Sequence, residues 1–177
     1  MAHFEKKLSG EVVFQGKIIH VRHDRVELED GRTSMREVIV HPGAVVVLAV
    51  HEGYTYLVRQ YRYCIGQELL EAPAGKLEPG EDHRAAALRE LREETGAVPG
   101  RLEYLGEVYP TAGMYTEVFQ MYFADQLDFG EACPDDGEFL SVEKVSLQAL
   151  EGMIADGTMT DAKTICIYTK AKARGLI

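Results

Sequence analysis

Three glutamates, Glu90, Glu93 and Glu94, stand at i, i+3 and i+4 in a stretch that reads as a helix, so they share one face. Left alone, that face works against itself. Carboxylates at this spacing repel, and Glu93 and Glu94 fall in the last turn, where the helix dipole favours cations; each misplacement costs roughly 0.3–1 kcal/mol. Two readings are open. One is a solvated acidic surface whose repulsion is softened by Arg89 and Arg92. The other is a divalent cation held by clustered carboxylates, whose hard oxygens suit magnesium or manganese.

The flanking residues frame that helix. Glu71-Ala72-Pro73-Ala74-Gly75 is punctuated like a loop leaving a strand, and Pro79-Gly80 is a turn dipeptide. Asp82 is placed to cap a helix running to about Thr95, and Gly96 sits where a helix stops. Leu88 and Leu91 share a face with Ala87, the side expected to pack inward.

Taken together, Gly75, Glu81, Arg89, Glu90, Leu91, Glu93, Glu94 and Gly96 resemble the Nudix box, G-x5-E-x7-R-E-U-x-E-E-x-G-U with U aliphatic; Ala97 is smaller than the usual final residue. So many fixed positions in one window make an accidental match improbable. The resemblance implies an α/β Nudix fold, a mixed β-sheet between α-helices. It also implies metal-dependent hydrolysis of a diphosphate, with magnesium as the cofactor and manganese as an alternative. The carbonyl of Ala74 with Glu90, Glu93 and Glu94 would form the metal shell. Glu81 would be a supporting ligand, and Arg89 would orient the glutamates through its planar fork.

Stretches outside the box resemble the bacterial ADP-ribose pyrophosphatases from about Phe14 onward. They are Arg36-Glu37-Val38, His41-Pro42-Gly43-Ala44-Val45, Gln60-Tyr61-Arg62, Pro73-Ala74-Gly75, Glu138-Phe139 and Asp161-Ala162-Lys163-Thr164. There is one departure: in Tyr109-Pro110-Thr111-Ala112-Gly113-Met114, alanine occupies the usual proline position. The implied activity is hydrolysis of ADP-ribose to AMP and ribose 5-phosphate. The alternatives are a pyrophosphatase for other nucleoside-diphosphate sugars and, in another class, a non-catalytic Nudix ligand sensor. In such a family a base or further ligand comes from a mobile acidic loop; here Cys133–Glu138 is the candidate, with Glu138 preferred to Asp136. Arg36 and Arg62 would face substrate, Gly113 and Met114 would shape the pocket, and Glu117 would meet ribose hydroxyls. Ile18 would lie near a partner subunit's pocket in a homodimer.

The rest of the chain must position these groups. Its 177 residues, 46% hydrophobic and 27% charged, suit one well-buried soluble domain. A net charge of −10 argues against a nucleic-acid backbone or an anionic membrane as partner, so an anionic substrate needs local positive charge. Met1 to Gly10 is polar and charged, which reads as no signal peptide, and no apolar run approaches membrane-spanning length. Cys64, Cys133 and Cys166 are widely spaced and odd in number, which suits reduced thiols in the cytoplasm. None of the six histidines has metal-ligand spacing.

Strand-like runs fall at Glu11–Phe14, Ile18–Val21, Val26–Glu29 and Arg36–Val40, with Asp30-Gly31 as a hairpin turn. Residues 1–40 have too few large apolar side chains for a core of their own and must lie on the main domain or on a second subunit; the resemblance implies that they are a dimerisation section preceding a hydrolase domain at 41–177. Ala44–Val50 reads as a strand buried on both faces, followed by Tyr54–Tyr61, Leu102–Val108, Glu117–Ala124 and Phe139–Val145. Helices are expected at Leu147–Ala155 and Asp161–Arg174, with Ser146 and Thr160 as caps.

Overall fold

The computed structural model describes residues 3–135 and 137–177. They divide into two compact units, one of Met1–Gly43 with Tyr109–Val118 and one of Ala44–Val108 with Phe119–Ile177.

In the first unit, strands β1 (Lys6–Gln15), β2 (His20–Glu27) and β3 (Thr33–Val40) form an antiparallel sheet in sequence order. The hairpin expected at Asp30-Gly31 is present: Gly31 has φ 83° and donates its N–H to the Leu28 carbonyl. Ile18–Val21 and Val26–Glu29 are not separate strands, however. The run Arg22–Arg25 looks like a polar break, but a ladder on each side carries β2 straight through it. The charge is absorbed by pairing: Asp24, 5% exposed, accepts from Lys7 Nζ (2.7 Å) and Arg22 Nη2 (3.0 Å). Ile18 lies in the turn before β2, where Gly16 N–H meets the Ile19 carbonyl. Tyr109–Val118 joins this unit through Ile39, whose N–H donates to Met114 and whose carbonyl accepts from Thr116. β1 is exposed along its whole length and carries Leu8, Val12, Val13 and Phe14 into solvent.

The second unit is a mixed seven-stranded sheet. Its strands are β4 (Ala44–His51), β5 (Tyr54–Arg62), β6 (Gln67–Glu71), β7 (Ala74–Lys76), β8 (Ala97–Val108), β9 (Phe119–Phe129) and β10 (Leu140–Ser146). The order is β10-β5-β4-β9-β8, with β6 on β5 and β7 on β4; β4 and β9 run parallel and the other pairs antiparallel. Three helices complete it: α1 (His83–Thr95), α2 (Leu147–Asp156) and α3 (Ala162–Ala173).

β4 explains the layering. Its side chains alternate between faces, and both faces are apolar, as the β-branched run requires. Val46 and Leu48 join a core with Leu150 of α2 and Ile167 and Tyr168 of α3. Val45, Val47 and Ala49 join another with Ala86, Ala87 and Leu91 of α1. The sheet is therefore covered by α1 on one face and by α2 and α3 on the other, the α/β sandwich the apolar pattern predicts. Among the described residues no helix is long and apolar enough to cross a membrane.

Two local expectations need correction. Leu88 is 37% exposed, and the small Ala86 takes the inward place, which brings α1 close to the sheet. Asp161, not Thr160, caps α3: its carboxylate accepts from Thr164 N–H, and an aspartate at this position also suits the helix dipole.

Gly96 ends α1 as expected, at φ 72°, and its own N–H donates to the Arg92 carbonyl. Gly96→Ala is expected to cost about 2 kcal/mol or more, because alanine resists left-handed φ and its Cβ would lie 2.4 Å from the Gly130 carbonyl oxygen. Gly130→Ala meets only an ordinary contact at 3.8 Å and is expected to stay near wild type. Urea midpoints of the two variants check the contrast.

Candidate functional site

The site grows from β7 and α1. β7 pairs with the start of β4, Val45 opposite Gly75 and Val46 opposite Ala74, so its backbone is fixed by the sheet. The Asp82 side chain then accepts from the N–H groups of Arg84 and Ala85 (3.1 and 3.0 Å) and starts α1. With both ends anchored, the acidic face of α1 is held against β7.

Arg89 gathers that face. Its Nε and Nη2 donate to the two oxygens of Glu81 (2.9 and 3.0 Å), and its Nη1 donates to Glu90 (2.7 Å) and Glu93 (2.9 Å). One guanidinium thus spans three carboxylates, as its fork geometry allows. Glu94 takes a different partner: its Oε2 accepts the N–H of Ala74 at 3.0 Å. Gly75 has no side chain because the Glu90 carboxyl fills the space; a Cβ there would lie 1.9–2.2 Å from its atoms.

The electrostatics are set by burial. Glu94 is 4% exposed, and loss of solvent pushes its carboxyl up to about 8; the Ala74 N–H opposes the rise, while the charges of Glu90 and Glu138 add to it. Burial also raises Glu90, against the pull of Arg89. Glu81 goes the other way, lowered first by its hydrogen bonds from Arg89 and then by the Glu78 N–H. Three carboxylates therefore share one guanidinium while Glu94 has only a backbone N–H, and burial raises Glu90 and Glu94 in spite of these partners. Among the described residues no three His, Cys, Asp or Glu side chains converge on one point; three carboxylates turn onto Arg89 instead. The donor set still fits a hard divalent cation: clustered oxygens, excess buried negative charge, and a backbone at Gly75 that admits close approach.

The other expected residues are divided between the two units. Glu138 is exposed, with its N–H on the Asp135 carbonyl, and lies near enough to Glu90 and Glu94 to raise both. Asp136 lies outside the described residues. Arg62 grips Glu71 with two bonds (2.6 and 2.7 Å), and its charge also reaches Glu94. Arg36, Ile18, Gly113, Met114 and Glu117 all belong to the first unit. There Arg36 pairs with Glu5, and Glu117 lies 3.3 Å from His41 Nδ1. A Cβ at Gly113 would meet nothing within 4 Å, so no close approach demands glycine. Ile18 and Met114 are about half exposed, at 53% and 50%.

Sequence reasoning missed Glu71, 1% exposed and shared by Arg62 and Lys163. The available signal was a charged residue closing the apolar run Leu69-Leu70.

Residues 40–166 match the Nudix domain, and residues 5–39 match the nucleoside diphosphate sugar hydrolase N-terminal domain. Over 90% of the chain it is 39% identical to the ADP-ribose pyrophosphatase of Bacillus subtilis, covering 88% of that protein. It is 38% identical over 91% of its length to the methanol dehydrogenase activator of Bacillus methanolicus, covering 89% of it. A solved structure described as an ADP compounds hydrolase shares the fold, with a TM-score of 0.85 at 21% identity, over 98% of this chain and 97% of that one.

Glu94 gives the fold a pH dependence. Its folded-state pKa is raised from 4.5 to about 8, so its contribution to stability is complete below the lower value and is lost as pH climbs toward the upper one. Chelator-treated protein is expected to lose stability across that window. Glu94→Gln is expected to remove most of the slope, with Glu90, raised in the same direction, leaving the remainder. Denaturant midpoints measured at several pH values check this; equal slopes in both proteins would overturn it.

Proposed function

The chain belongs to the Nudix family of hydrolases, and from that premise we propose that it hydrolyses the diphosphate bond of ADP-ribose, giving AMP and ribose 5-phosphate. The observation that carries the reading is the set of carboxylates on α1, gathered by Arg89 and packed against the glycine-bearing strand β7. The substrate rests on the relatives. Support comes from the ADP-ribose pyrophosphatase name at 39% identity and from a second such relative in Mycobacterium tuberculosis, 35% identical over 71% of the chain. The GDP-mannose pyrophosphatase of Yersinia enterocolitica, 30% identical over 85% of the chain, supports the wider class of nucleoside-diphosphate sugars as the second reading.

A diphosphate diester resists water because its negative oxygens repel a nucleophile. A divalent cation, magnesium in this reading, supplies neutralisation of those oxygens and acidifies water. Glu90, Glu93, Glu94 and the Ala74 carbonyl would hold it, with Glu81 in support. Arg89 keeps the carboxylates spaced and oriented, so little reorganisation remains when substrate arrives. Glu138, exposed and electrostatically close to Glu90 and Glu94, would accept the proton of the attacking water, with Asp136 as its rival for that role. Arg62, oriented by Glu71, would face the phosphates. Arg36 would serve the adenine; here it donates to both oxygens of Glu5. Gly113 and Met114 would line the pocket, and Glu117 would bind ribose hydroxyls.

We assign residues 1–40 to the pairing of two copies. The support is β1, an edge strand with exposed apolar side chains, the kind that is ordinarily covered. Ile18 would then approach the partner's pocket. A cytoplasmic location is supported by three free cysteines, two of them exposed.

A panel of ADP-ribose, sugar nucleotides and nucleoside triphosphates assayed with magnesium is expected to favour ADP-ribose, with AMP and ribose 5-phosphate as products. Glu138→Gln is expected to lower kcat far more than it changes KM, with Asp136→Asn the milder variant; the opposite ranking would pass the proton-accepting role to Asp136. Light scattering is expected to find a dimer, and removal of residues 1–40 to abolish turnover. A fully active monomer would rule the pairing out.

A further inference from the structure

The Asp161-Ala162-Lys163-Thr164 stretch, to which the proposed function gives no role, makes a network of polar contacts at the start of α3 in the second unit. Thr164 is fully buried, and its hydroxyl donates to Asp161 Oδ2 at 2.5 Å. With its proton so committed, the oxygen turns a lone pair toward the N–H of Ala72, also fully buried, and accepts it at 2.6 Å. Asp161, 9% exposed, accepts from Thr164 N–H with the same oxygen and from Lys163 Nζ with the other (3.0 Å each). Lys163 reaches back from there to Glu71. The first turn of α3 therefore grips two consecutive residues, Glu71 and Ala72, across 92 positions of sequence.

The next three residues give the grip its meaning. The Pro73 carbonyl accepts from Val47 N–H on β4, Ala74 N–H donates to Glu94, and Gly75 lies against the Glu90 carboxyl. Residues 71–75 are thus held as a rail with α3 at one end, β4 in the middle and α1 at the other. A shift at Ala72 passes along it, because Pro73 fixes its own φ and Ala74 is two peptide planes away.

We propose that Thr164 and Asp161 are positioning residues for the divalent-cation site, setting the height of Ala74 against Glu94 through Ala72. The inference rests on the reading of Ala74, Glu90 and Glu94 as cation ligands. Groups that orient ligands typically contribute about 10–100-fold in metal affinity, and Thr164 does so through one peptide N–H.

Isothermal titration of the intact protein with magnesium, and separately with manganese, tests this without reference to turnover. Thr164→Val is expected to weaken cation binding by about tenfold or more, while Thr164→Ser, which keeps the hydroxyl, restores it. Thr55→Val is the control: Thr55 is fully buried on β5 and its hydroxyl has no partner among the described residues, so its affinity is expected to match wild type. Wild-type affinity in a folded Thr164→Val protein would overturn the proposal, as would an equal loss in Thr55→Val. If Thr164→Val does not fold, Asp161→Ser decides, since it keeps a capping hydroxyl for α3 but removes the carboxylate that orients Thr164. Weaker binding is expected there, and unchanged binding overturns the proposal. Glu94→Gln separates the two levels: loss of binding in it but not at Thr164 sinks only the positioning role, and retention in both sinks the cation site itself.

Discussion

The guanidinium of Arg89 is the interaction on which the rest depends. Without it, Glu81, Glu90 and Glu93 would repel one another across a short helix, and the last turn of α1 would carry its charge on the wrong side of the dipole. The two Arg89–Glu81 bonds also tie the loop before α1 to the body of the helix. Everything around the helix serves to keep this unfavourable charge in place. The Asp82 cap and the left-handed Gly96 fix its ends, and Ala86, Ala87 and Leu91 press it to the sheet.

Packing and chemistry meet at β4. One of its faces carries α1 and with it the acidic cluster; the other carries α2 and α3, whose capping turn holds the rail leading into the same cluster. A strand that is apolar on both sides thus does more than fill a core. It gives two opposite layers a common reference, and the polar contacts at Ala72, Pro73 and Ala74 are registered against it.

What could be read from the chain was what local physics dictates. The Nudix helix was legible because Asp82 and Gly96 punctuate it with their own side-chain and backbone preferences, and β4 because its β-branched run allows little else. The acidic spacing gave away the cluster, whereas the close approach of Glu90 to Gly75 is visible only in the structure. Legibility failed where the answer lies across the fold. β2 looked broken at Arg22–Arg25 because its continuity comes from neighbours on both sides. Leu88 looked like core, yet alanines hold α1 so near the sheet that the wider side chain points out. Asp161 and Thr160 are adjacent capping types, and only the bond to Thr164 N–H distinguishes them. Glu71 could not be seen as a shared ion-pair partner because Lys163 stands 92 residues away.

The raised carboxyl of Glu94 has a further consequence. At a pH below about 8 that group holds a proton much of the time, so any cation that seats on it must first expel that proton. If the proposed cation ligands hold, the site would behave as an exchanger in which hydrogen ion and dication compete for the Glu94 oxygens. For such a site acidity and free divalent metal would not be independent variables: a fall in either pH or metal would shift Glu94 toward its protonated form.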